Sequence, residues 1–573
     1  MVRRLVLLVG LVAVALFAQT PSTDFPQTTI RVATHMVVVD VVVSDKSGNP
    51  VPGLQPSDFS VNEDGKTQKI AAFRFETPRS TDAPQLPSLP PHVYTNRTVY
   101  KAPAGPLTMI VLDGVNTAVR DQIYARQQLL KYLKTQLQPN QRIAVFALTG
   151  QLHLLQDFTS DPALLLGKVE HFLAQDPRGL SIEEEPMQPL RRTASGAQST
   201  FSANVFQDFQ HVLLERGAVN YDARVSETLL AFRTLASSVS GYPGRKNLIW
   251  ISSSFPLVFM ADSSALPSFA PRIFVDSNVH AQARLTAEKL SQAQIAVYPV
   301  DPRGLVGAPV EDASRDLRDI FGHTYAGGDF SQQVNGSEAR MLSSQGTMEE
   351  FAKETGGVAY MNQNEISQAV ALSVTDGSTY YSLAYYPTDK DWDGKFRNIQ
   401  VKIARADVHL RYRRGYYAVD TLGSSKPTKA AAEADLASAL QGEFVGATSV
   451  VFDARVIPPP PAPSMSLPIE FLVNADTVSY EPATNGGRHY FLDFHIAAFL
   501  PDGKIAAHVD KTFDASASPN EVERIRQHGL PLQTALDLPA GSYVVRLIIR
   551  DSRTGLMGGL EFPLVLAGAG KEN

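Results

Sequence analysis

Between residues 108 and 361, short apolar runs alternate with longer stretches of helical periodicity, and this alternation limits the possible folds more than any other feature. Repeated strand and helix units of this kind predict a mostly parallel sheet covered by helices on both faces. The predicted strands are Thr108–Asp113, Arg142–Leu148, Leu152–Phe158, Lys246–Ile251, Ile295–Val300 and Val358–Met361. The predicted helices are Ala118–Leu137, Pro162–Ala174, Ala223–Val239, Val279–Gln294 and Thr347–Thr355.

The first predicted strand ends in Asp113, and a polar loop that contains Asn116 and Thr117 follows it directly. Open α/β sheets bind ligands outside the carboxyl ends of their strands, so this loop is the best-placed binding surface. The alternative is a purely structural role, in which Asp113 caps the helix that begins near Thr117. Asn116 and Thr117 are themselves common N-cap residues.

Strand-like patterns flank the α/β domain, which we place at residues 104–376. Residues 30–76 alternate valine-rich runs with Gly, Pro and Asp turns, which predicts a small N-terminal β-sandwich. The strands predicted within 378–418 are candidates to complete that sandwich. Residues 440–568 predict a second, C-terminal β-sandwich.

Two kinds of connecting segment separate these regions. Residues 77–105 are predicted to be a linker, because prolines crowd its first half. Two polar insertions, at about 176–221 and 303–345, interrupt the α/β pattern, and long loops inside a compact domain are usually functional or disordered. An alanine-rich helix is predicted near 428–440, ahead of the proline run at 458–461.

The chain of 573 residues begins with the layout of a cleavable signal peptide at residues 1–18: a basic start, an apolar run and a small residue. The apolar run, of about 13 residues, is short for a membrane span of roughly 20. The absence of cysteine excludes disulfides, thiolate metal sites and cysteine nucleophiles. We therefore expect an exported protein, periplasmic or extracellular, with no transmembrane anchor in the mature chain. Its net charge of -6 gives no reason to expect nucleic acid as a partner.

Several segments together resemble the VWFA-related proteins of Acidobacteria, which contain a von Willebrand factor type A (VWA) domain. The resemblance covers about residues 30–418. The segments that carry it are VVVDVVVSDKSGNPVPGLQPSDFSVNEDGK, VLDGVNT, PGRKNLIWIS, ETGGVAY, YSLAYYP and RYRRGYY.

This resemblance implies a Rossmann-like VWA domain that binds Mg²⁺ or Mn²⁺. In the family, an Asp-x-Ser-x-Ser loop supports the ion together with a threonine and an aspartate from two further loops. Hard cations need oxygen ligands of this kind, and an open coordination position lets a carboxylate of a partner protein complete the shell. The implied function is noncatalytic protein binding or cell adhesion.

The sequence departs from the family pattern at several positions, so the implied metal site is degenerate. Asp113 is kept, Val115 replaces the first serine, Thr117 keeps a hydroxyl at the second, and Asn116 offers a carbonyl oxygen. After the fourth strand, where an aspartate often stands, the sequence reads Ser-Ser-Ser at 252–254. The candidate metal ligands are therefore Asp113, Asn116, Thr117 and Ser253, with Ser226 and Thr228 as the nearest candidates for the third-loop threonine. A metal-free interaction scaffold is the alternative.

Enzyme motifs are missing from the sequence. It contains no His-Glu-x-x-His pair, no Gly-x-Ser-x-Gly elbow and no Gly-x-x-x-x-Gly-Lys phosphate loop. We therefore expect no catalytic residues and no cofactor other than Mg²⁺ or Mn²⁺, with a protein ligand that presents a carboxylate as the candidate partner. The alternative is a cell-envelope hydrolase whose active site is assembled from residues distant in sequence.

Overall fold

The structure is a computed structural model, and it describes residues 36–77, 88–101, 107–138, 141–172, 174, 223–255, 277–304, 344–419, 446–457, 464–483 and 486–567. The predicted signal peptide, nearly all of both insertions, the alanine-rich helix and the proline run lie outside these residues.

The strands, in chain order, are β1 Val37–Ser44, β2 Phe59–Glu63, β3 Lys66–Gln68, β4 Ile70–Glu76, β5 Val93–Thr95, β6 Leu107–Asp113, β7 Arg142–Leu148, β8 Leu152–Thr159, β9 Lys246–Ile251, β10 Ile295–Val300, β11 Tyr380–Tyr385, β12 Asp393–Ile403, β13 His409–Arg411, β14 Gly415–Val419, β15 Phe452–Val456, β16 Ser464–Val473, β17 Glu481–Pro482, β18 Arg488–Phe499, β19 Ile505–Ala517, β20 Leu530–Pro539, β21 Gly541–Asp551 and β22 Met557–Leu566. The helices are α1 Thr98–Lys101, α2 Val119–Thr135, α3 Pro162–His171, α4 223–239, α5 Ser277–Gln292, α6 344–355, α7 Ile366–Asp376 and α8 Pro519–His528, with short 3-10 turns at Pro56–Asp58 and Ala475–Thr477.

A five-stranded sheet forms the centre of the α/β unit, in the order β10-β9-β6-β7-β8. The pairs β10/β9, β9/β6 and β6/β7 are parallel, and β8 returns antiparallel to β7. Strands β6, β7, β9 and β10 are buried along their whole length, as expected of parallel strands covered on both faces. Separate hydrophobic clusters on the two faces of this sheet bring in α4 and α5 on one face and α2, α3 and α7 on the other.

Two four-stranded antiparallel sheets flank this unit in sequence. Each sheet combines strands that precede the α/β unit with strands that follow it. Strand β11 inserts between β1 and β4, and β12 pairs with β2. The inner faces of these sheets share one hydrophobic cluster, which includes Val39, Val61, Tyr381 and Ile399. The α/β unit is thus inserted between the two halves of this sandwich, here called the split sandwich.

Strands β15 to β22 form the last two antiparallel sheets, which enclose a second large hydrophobic cluster. Strand β5 belongs to one of them, because it pairs with β15 at the edge of the β20-β16-β15-β5 sheet. The interpretation of residues 77–105 as a linker is therefore wrong for 93–101, which form β5 and α1. Tyr94 stacks on Phe562 with 4.0 Å between ring centroids, and this contact helps to fix the short strand β5 against the C-terminal sandwich.

The predicted mixed α/β class is confirmed, with one mostly parallel sheet and antiparallel sheets elsewhere. One predicted strand of the α/β unit is wrong: within 358–361 only Tyr360 forms a bridge, to Val300. Helix α3 also ends earlier than predicted, at His171, because Phe172 adopts an extended backbone conformation.

Candidate functional site

Polar side chains follow three neighbouring strands at the carboxyl edge of the parallel sheet. Asp113 ends β6, Ser252 follows β9 and Asp301 follows β10. Parallel strands place their carboxyl ends at one edge, so the three loops meet there. All three side chains are buried.

Asp113 is fully engaged in hydrogen bonds. Its Oδ1 accepts from the backbone N–H groups of Val115 and Asn116, both at 2.9 Å. Its Oδ2 accepts from Asn116 Nδ2 at 2.8 Å, Trp250 Nε1 at 2.9 Å and Ser252 Oγ at 2.9 Å. Burial raises the pKa of Asp113 above its ordinary value, while the hydrogen bonds from Asn116, Trp250 and Ser252 act to lower it. The aspartate thus ties the β6 loop to the end of β9.

Asn116 extends this network to α4. Its Nδ2 also donates to Thr228 Oγ1 at 2.9 Å, and the Thr228 hydroxyl donates in turn to the Arg224 carbonyl. Because the threonine proton is used in that bond, Thr228 acts as an acceptor toward Asn116, which fixes the orientation of the amide. The opposite amide atom, Asn116 Oδ1, is buried without a hydrogen-bond partner. The structure therefore brings Thr228, but not Ser226, into contact with the predicted loop.

Thr117 and Ser253, the other two predicted metal ligands, contact each other rather than Asp113. Ser253 N donates to Thr117 Oγ1 at 3.1 Å, and Ser253 Oγ donates to Asp121 Oδ2 at 3.3 Å. The serine that reaches Asp113 is Ser252. Asp113 does not cap α2 either, since the N-cap is Ala118 and has no side-chain capping bond. The capping alternative is therefore wrong, and the serine in direct contact with Asp113 is the neighbour of the predicted Ser253.

The predicted contact residues are also inaccessible. Asp113, Asn116 and Thr117 are each exposed by 2% or less, so a partner protein cannot touch their side chains. The predicted contact surface also includes the two insertions, nearly all of which lie outside the described residues, and within the described residues a contact at this edge must use side chains outside this network.

Two carboxylates and two arginines occupy the adjoining part of the edge. Asp301 is buried and forms a bidentate ion pair with Arg303. Arg303 Nη2 donates to Asp301 Oδ2 at 2.6 Å, and Arg303 Nε donates to Asp301 Oδ1 at 2.9 Å. Asp121, in the first turn of α2, has Arg120 Nε 3.6 Å from its Oδ1. Burial raises the pKa of Asp121, and the charges of Arg120 and Arg303 oppose that shift. Both guanidinium groups therefore lie near the Asp121 carboxylate. The charged residues at the start of α2 and after the end of β10 thus form one cluster.

The donors around Asp113 do not fit the Mg²⁺ or Mn²⁺ site that the resemblance implies. A hard cation needs oxygen lone pairs that point at it. Three N–H or O–H groups already point at Oδ2, and the indole of Trp250 is a donor only. Val115, at the position of the first serine, is an apolar buried side chain. Within the described residues, no three His, Asp or Glu side chains form a group that can hold a metal ion.

Sequence reasoning missed Trp250, Asp121, Asp301 and Arg303. Asp301 had a usable signal: it follows the apolar run 295–300 directly, as Asp113 follows 108–112. Trp250 and Asp121 carried no such signal, because each lies inside a predicted strand or helix, where packing is the default role.

No family model matches this chain, and no curated protein does. Among solved structures, an aerotolerance-related membrane protein from Bacteroides fragilis NCTC 9343 aligns at 15% identity with a TM-score of 0.24, over 47% of this chain and 99% of its own. BatB from Bacteroides thetaiotaomicron aligns at 15% identity with a TM-score of 0.23, over 47% and 98%. The PilB minor pilin from Streptococcus sanguinis aligns at 11% identity with a TM-score of 0.22, over 48% and 60%. At these scores the likenesses carry no argument about function.

Over the described part of the chain, none of the helices combines the length and apolar character required to span a bilayer.

Proposed function

We propose that this chain is an exported, noncatalytic protein-binding or adhesion protein. In this proposal the α/β unit is a VWA-like domain with a degenerate metal loop, which binds its partner without a metal ion. The observation that carries the proposal is the saturated hydrogen bonding of Asp113. Because those bonds hold the β6 loop rigid, the residues just outside it form a preorganised surface, and preorganisation lowers the entropic cost of binding.

The proposed contact surface is the first part of α2 together with the β10 end. Val119 and Ile123 are exposed by 37% and 41%, one helical turn apart, and they supply apolar area. Arg120 has a side chain that is 73% exposed. Arg303 is 22% exposed, whereas the side chain of its partner Asp301 is fully buried. The charges that face outward are therefore positive.

This distribution of charge suggests the chemistry of the partner. A carboxylate on the partner protein, flanked by apolar residues, complements Arg120 and Arg303 with Val119 and Ile123 around them. Arginine binds carboxylates through charge-assisted hydrogen bonds, so the two guanidinium groups can serve where the family uses a metal ion. Protein binding of this kind breaks no bond and needs no catalytic residue.

Reversing the charge at residue 120 tests this surface. The biotinylated protein would be used to capture envelope proteins of its native source, with quantification by mass spectrometry. We expect a specific partner to be retained in the presence of EDTA and to be depleted about tenfold with Arg120→Glu, which corresponds to about 1.4 kcal/mol of binding free energy. The control Lys168→Glu, on exposed α3, should retain it. Loss of the partner in EDTA, or equal capture by Arg120→Glu, contradicts the proposal.

One observation favours the alternative, an envelope hydrolase. On the outer face of β18 and β19, Ser516 Oγ lies 3.1 Å from His489 Nδ1, and His489 Nε2 lies 2.5 Å from Asp514 Oδ1. A serine, a histidine and an aspartate in a hydrogen-bonded chain can activate a nucleophile. The chain lies on an exposed sheet face, where Asp514 is 61% exposed, and hydrolases need donors for an oxyanion and exclusion of water. We therefore rank this function second.

If the hydrolase alternative is correct, esterase activity depends on Ser516. Because the site is exposed to water, we instead expect the wild type to release no more p-nitrophenol from p-nitrophenyl acetate than the Ser516→Ala variant does. The matched control is Thr512→Ala, a neighbouring hydroxyl on the same strand face that bonds to Asp493. Saturable hydrolysis by the wild type and by Thr512→Ala, lost in both Ser516→Ala and His489→Ala, would make the hydrolase the better reading.

A further inference from the structure

The seam between the α/β unit and the split sandwich is closely packed. Helix α6 meets residues 412–417: Arg414 N donates to the Lys353 carbonyl at 3.3 Å, and Arg414 Nη1 lies 2.8 Å from Glu350 Oε1. Tyr417 N donates to Glu288 Oε2 of α5 at 3.2 Å. At Gly356, which has a φ of +79°, an added Cβ would lie 2.8 Å from Arg413 N. The two units are thus in direct backbone contact.

Glu354 is buried in this seam with an unsatisfied carboxyl group. Its residue exposure is 7%, and its Oε2 has no hydrogen-bond partner. The ionisable groups that act on it are Glu350 from its own helix, Arg284 from α5, and Arg414 and Tyr417 from the sandwich side. Arg414 is already paired with Glu350, and Arg284 lies over the ring of Tyr417 at 5.7 Å. An ionised Glu354 therefore lacks a cation dedicated to it.

We propose that Glu354 is a proton-controlled latch between the α/β unit and the split sandwich. When its carboxyl group is neutral, the seam tolerates burial of the group and stays closed. When the group loses its proton to solvent, a buried charge without a dedicated partner is left, and the contact between α6 and residues 412–417 opens more often. The device is independent of the binding surface at the carboxyl edge.

The expected pH window follows from the acidity of the group. Burial first, and then the charge of Glu350, raise the pKa of Glu354 from 4.5 to about 7, against Arg414 and Arg284. A carboxyl group whose folded-state pKa is raised favours the closed state fully below about pH 4.5. As the pH rises from there to about 7, the closed-to-open ratio falls by up to about tenfold per pH unit. Above about pH 7 the ratio no longer changes with pH.

A second buried group on the seam side of the sheet acts in a different window. Lys246 is fully buried, its Nζ donates to the Ala293 carbonyl at 2.8 Å, and burial lowers its pKa from 10.5 to about 7. A lysine whose folded-state pKa is lowered contributes stability that is present above pH 10.5 and is lost as the pH falls to about 7. Its effect therefore lies above pH 7. Burial also raises the pKa of Glu288, whose Oε2 accepts from Tyr417 N in the same seam, so the comparison with Glu354→Gln separates the effect of Glu354 from that of Glu288.

Hydrogen exchange of the full-length protein tests the latch. Amide protection of residues 412–417 would be measured at pH 5, 6 and 7 and corrected for the intrinsic pH dependence of exchange. We expect protection in the wild type to fall at least tenfold between pH 5 and 7, and to stay constant within twofold in Glu354→Gln, which is neutral and of similar shape. Glu350→Gln should keep a pH-dependent fall.

Two results would overturn the proposal: a wild type whose protection does not change with pH, or a Glu354→Gln variant that shows the same fall as the wild type. Glu354→Leu provides a second neutral variant if glutamine disturbs folding, which circular dichroism would reveal. Protection of β21 amides, in the C-terminal sandwich, serves as the internal reference for global unfolding.

Discussion

Asp113→Ala is expected to lower the free energy of unfolding of the α/β unit by about 4 kcal/mol. The substitution leaves four N–H donors without an acceptor, among them the indole N–H of Trp250, whereas Ser252 Oγ still has the Ser254 carbonyl as an acceptor at 2.9 Å. Each buried donor left unsatisfied costs about 1–3 kcal/mol, with partial relief from relaxation of the loop. Urea denaturation followed by tryptophan fluorescence measures the loss, since the chain has only two tryptophans and Trp250 reports on this site directly.

The matched control is Ser252→Ala, which removes one of the five donors to Asp113 and leaves the acceptor in place. It should cost about 1 kcal/mol, the typical net value of one hydrogen bond. Asp113→Asn should resemble alanine more than wild type, because either orientation of the amide points an NH₂ group at existing donors. An Asp113→Ala protein with unchanged stability that loses saturable Mg²⁺ binding in calorimetry would instead establish the metal site implied by the family.

The second large effect is expected at Arg397, in the core of the split sandwich. Arg397 is 4% exposed, and its Nη1 lies 3.3 Å from Glu63 Oε1. Glu63 also accepts hydrogen bonds from Tyr385 at 2.7 Å and Tyr416 at 3.0 Å. Arg397→Met should therefore cost about 3–5 kcal/mol, because it leaves a buried carboxylate without its cation. Urea denaturation with circular dichroism detection measures this loss.

The double variant Glu63→Gln/Arg397→Met controls for the lost packing of the arginine. Removing the charge as well should recover part of the stability, since the remaining glutamine is neutral and still bonds to the tyrosines. A single variant within about 1 kcal/mol of wild type would mean that the pair contributes little. Because Glu63 lies on β2 and Arg397 on β12, the same result also tests whether the two halves of the split sandwich stabilise each other.

Local pattern was sufficient for the buried strands of the α/β unit. Lys246–Ile251 and Ile295–Val300 were predicted at the residues where the structure has them, because an apolar run bounded by turn residues leaves few alternatives. Strand β5 was missed for the opposite reason. It is three residues long, follows a proline-rich stretch and is stabilised by β15, about 360 residues later, which local pattern cannot reveal.

In the candidate site, too, some features follow from the local sequence and others depend on distant parts of the chain. The position of Asp113 at the end of a predicted strand identifies it as a candidate. Its hydrogen bonding, however, depends on Trp250 and Ser252, which are 137 and 139 residues away in sequence. Only the fold reveals that these groups donate to the carboxylate rather than leave it open for a cation. Thr228 was identified as a candidate and correctly placed in a helix, yet that helix faces the loop and delivers the hydroxyl to Asn116.

The insertion of the α/β unit between β4 and β11 has a consequence for biogenesis. The ribosome produces β1, with its VVVDVVVS sequence, before any of its partners, and the strands that flank it in the sheet, β11 and β13, are synthesised more than 300 residues later. Until then β1 is an unpaired, valine-rich segment, which is a hazard for aggregation. Pairings this distant in sequence also close slowly. We therefore expect the split sandwich to fold after the α/β unit that interrupts it in sequence, and we expect the nascent N-terminal strands to need a chaperone until then.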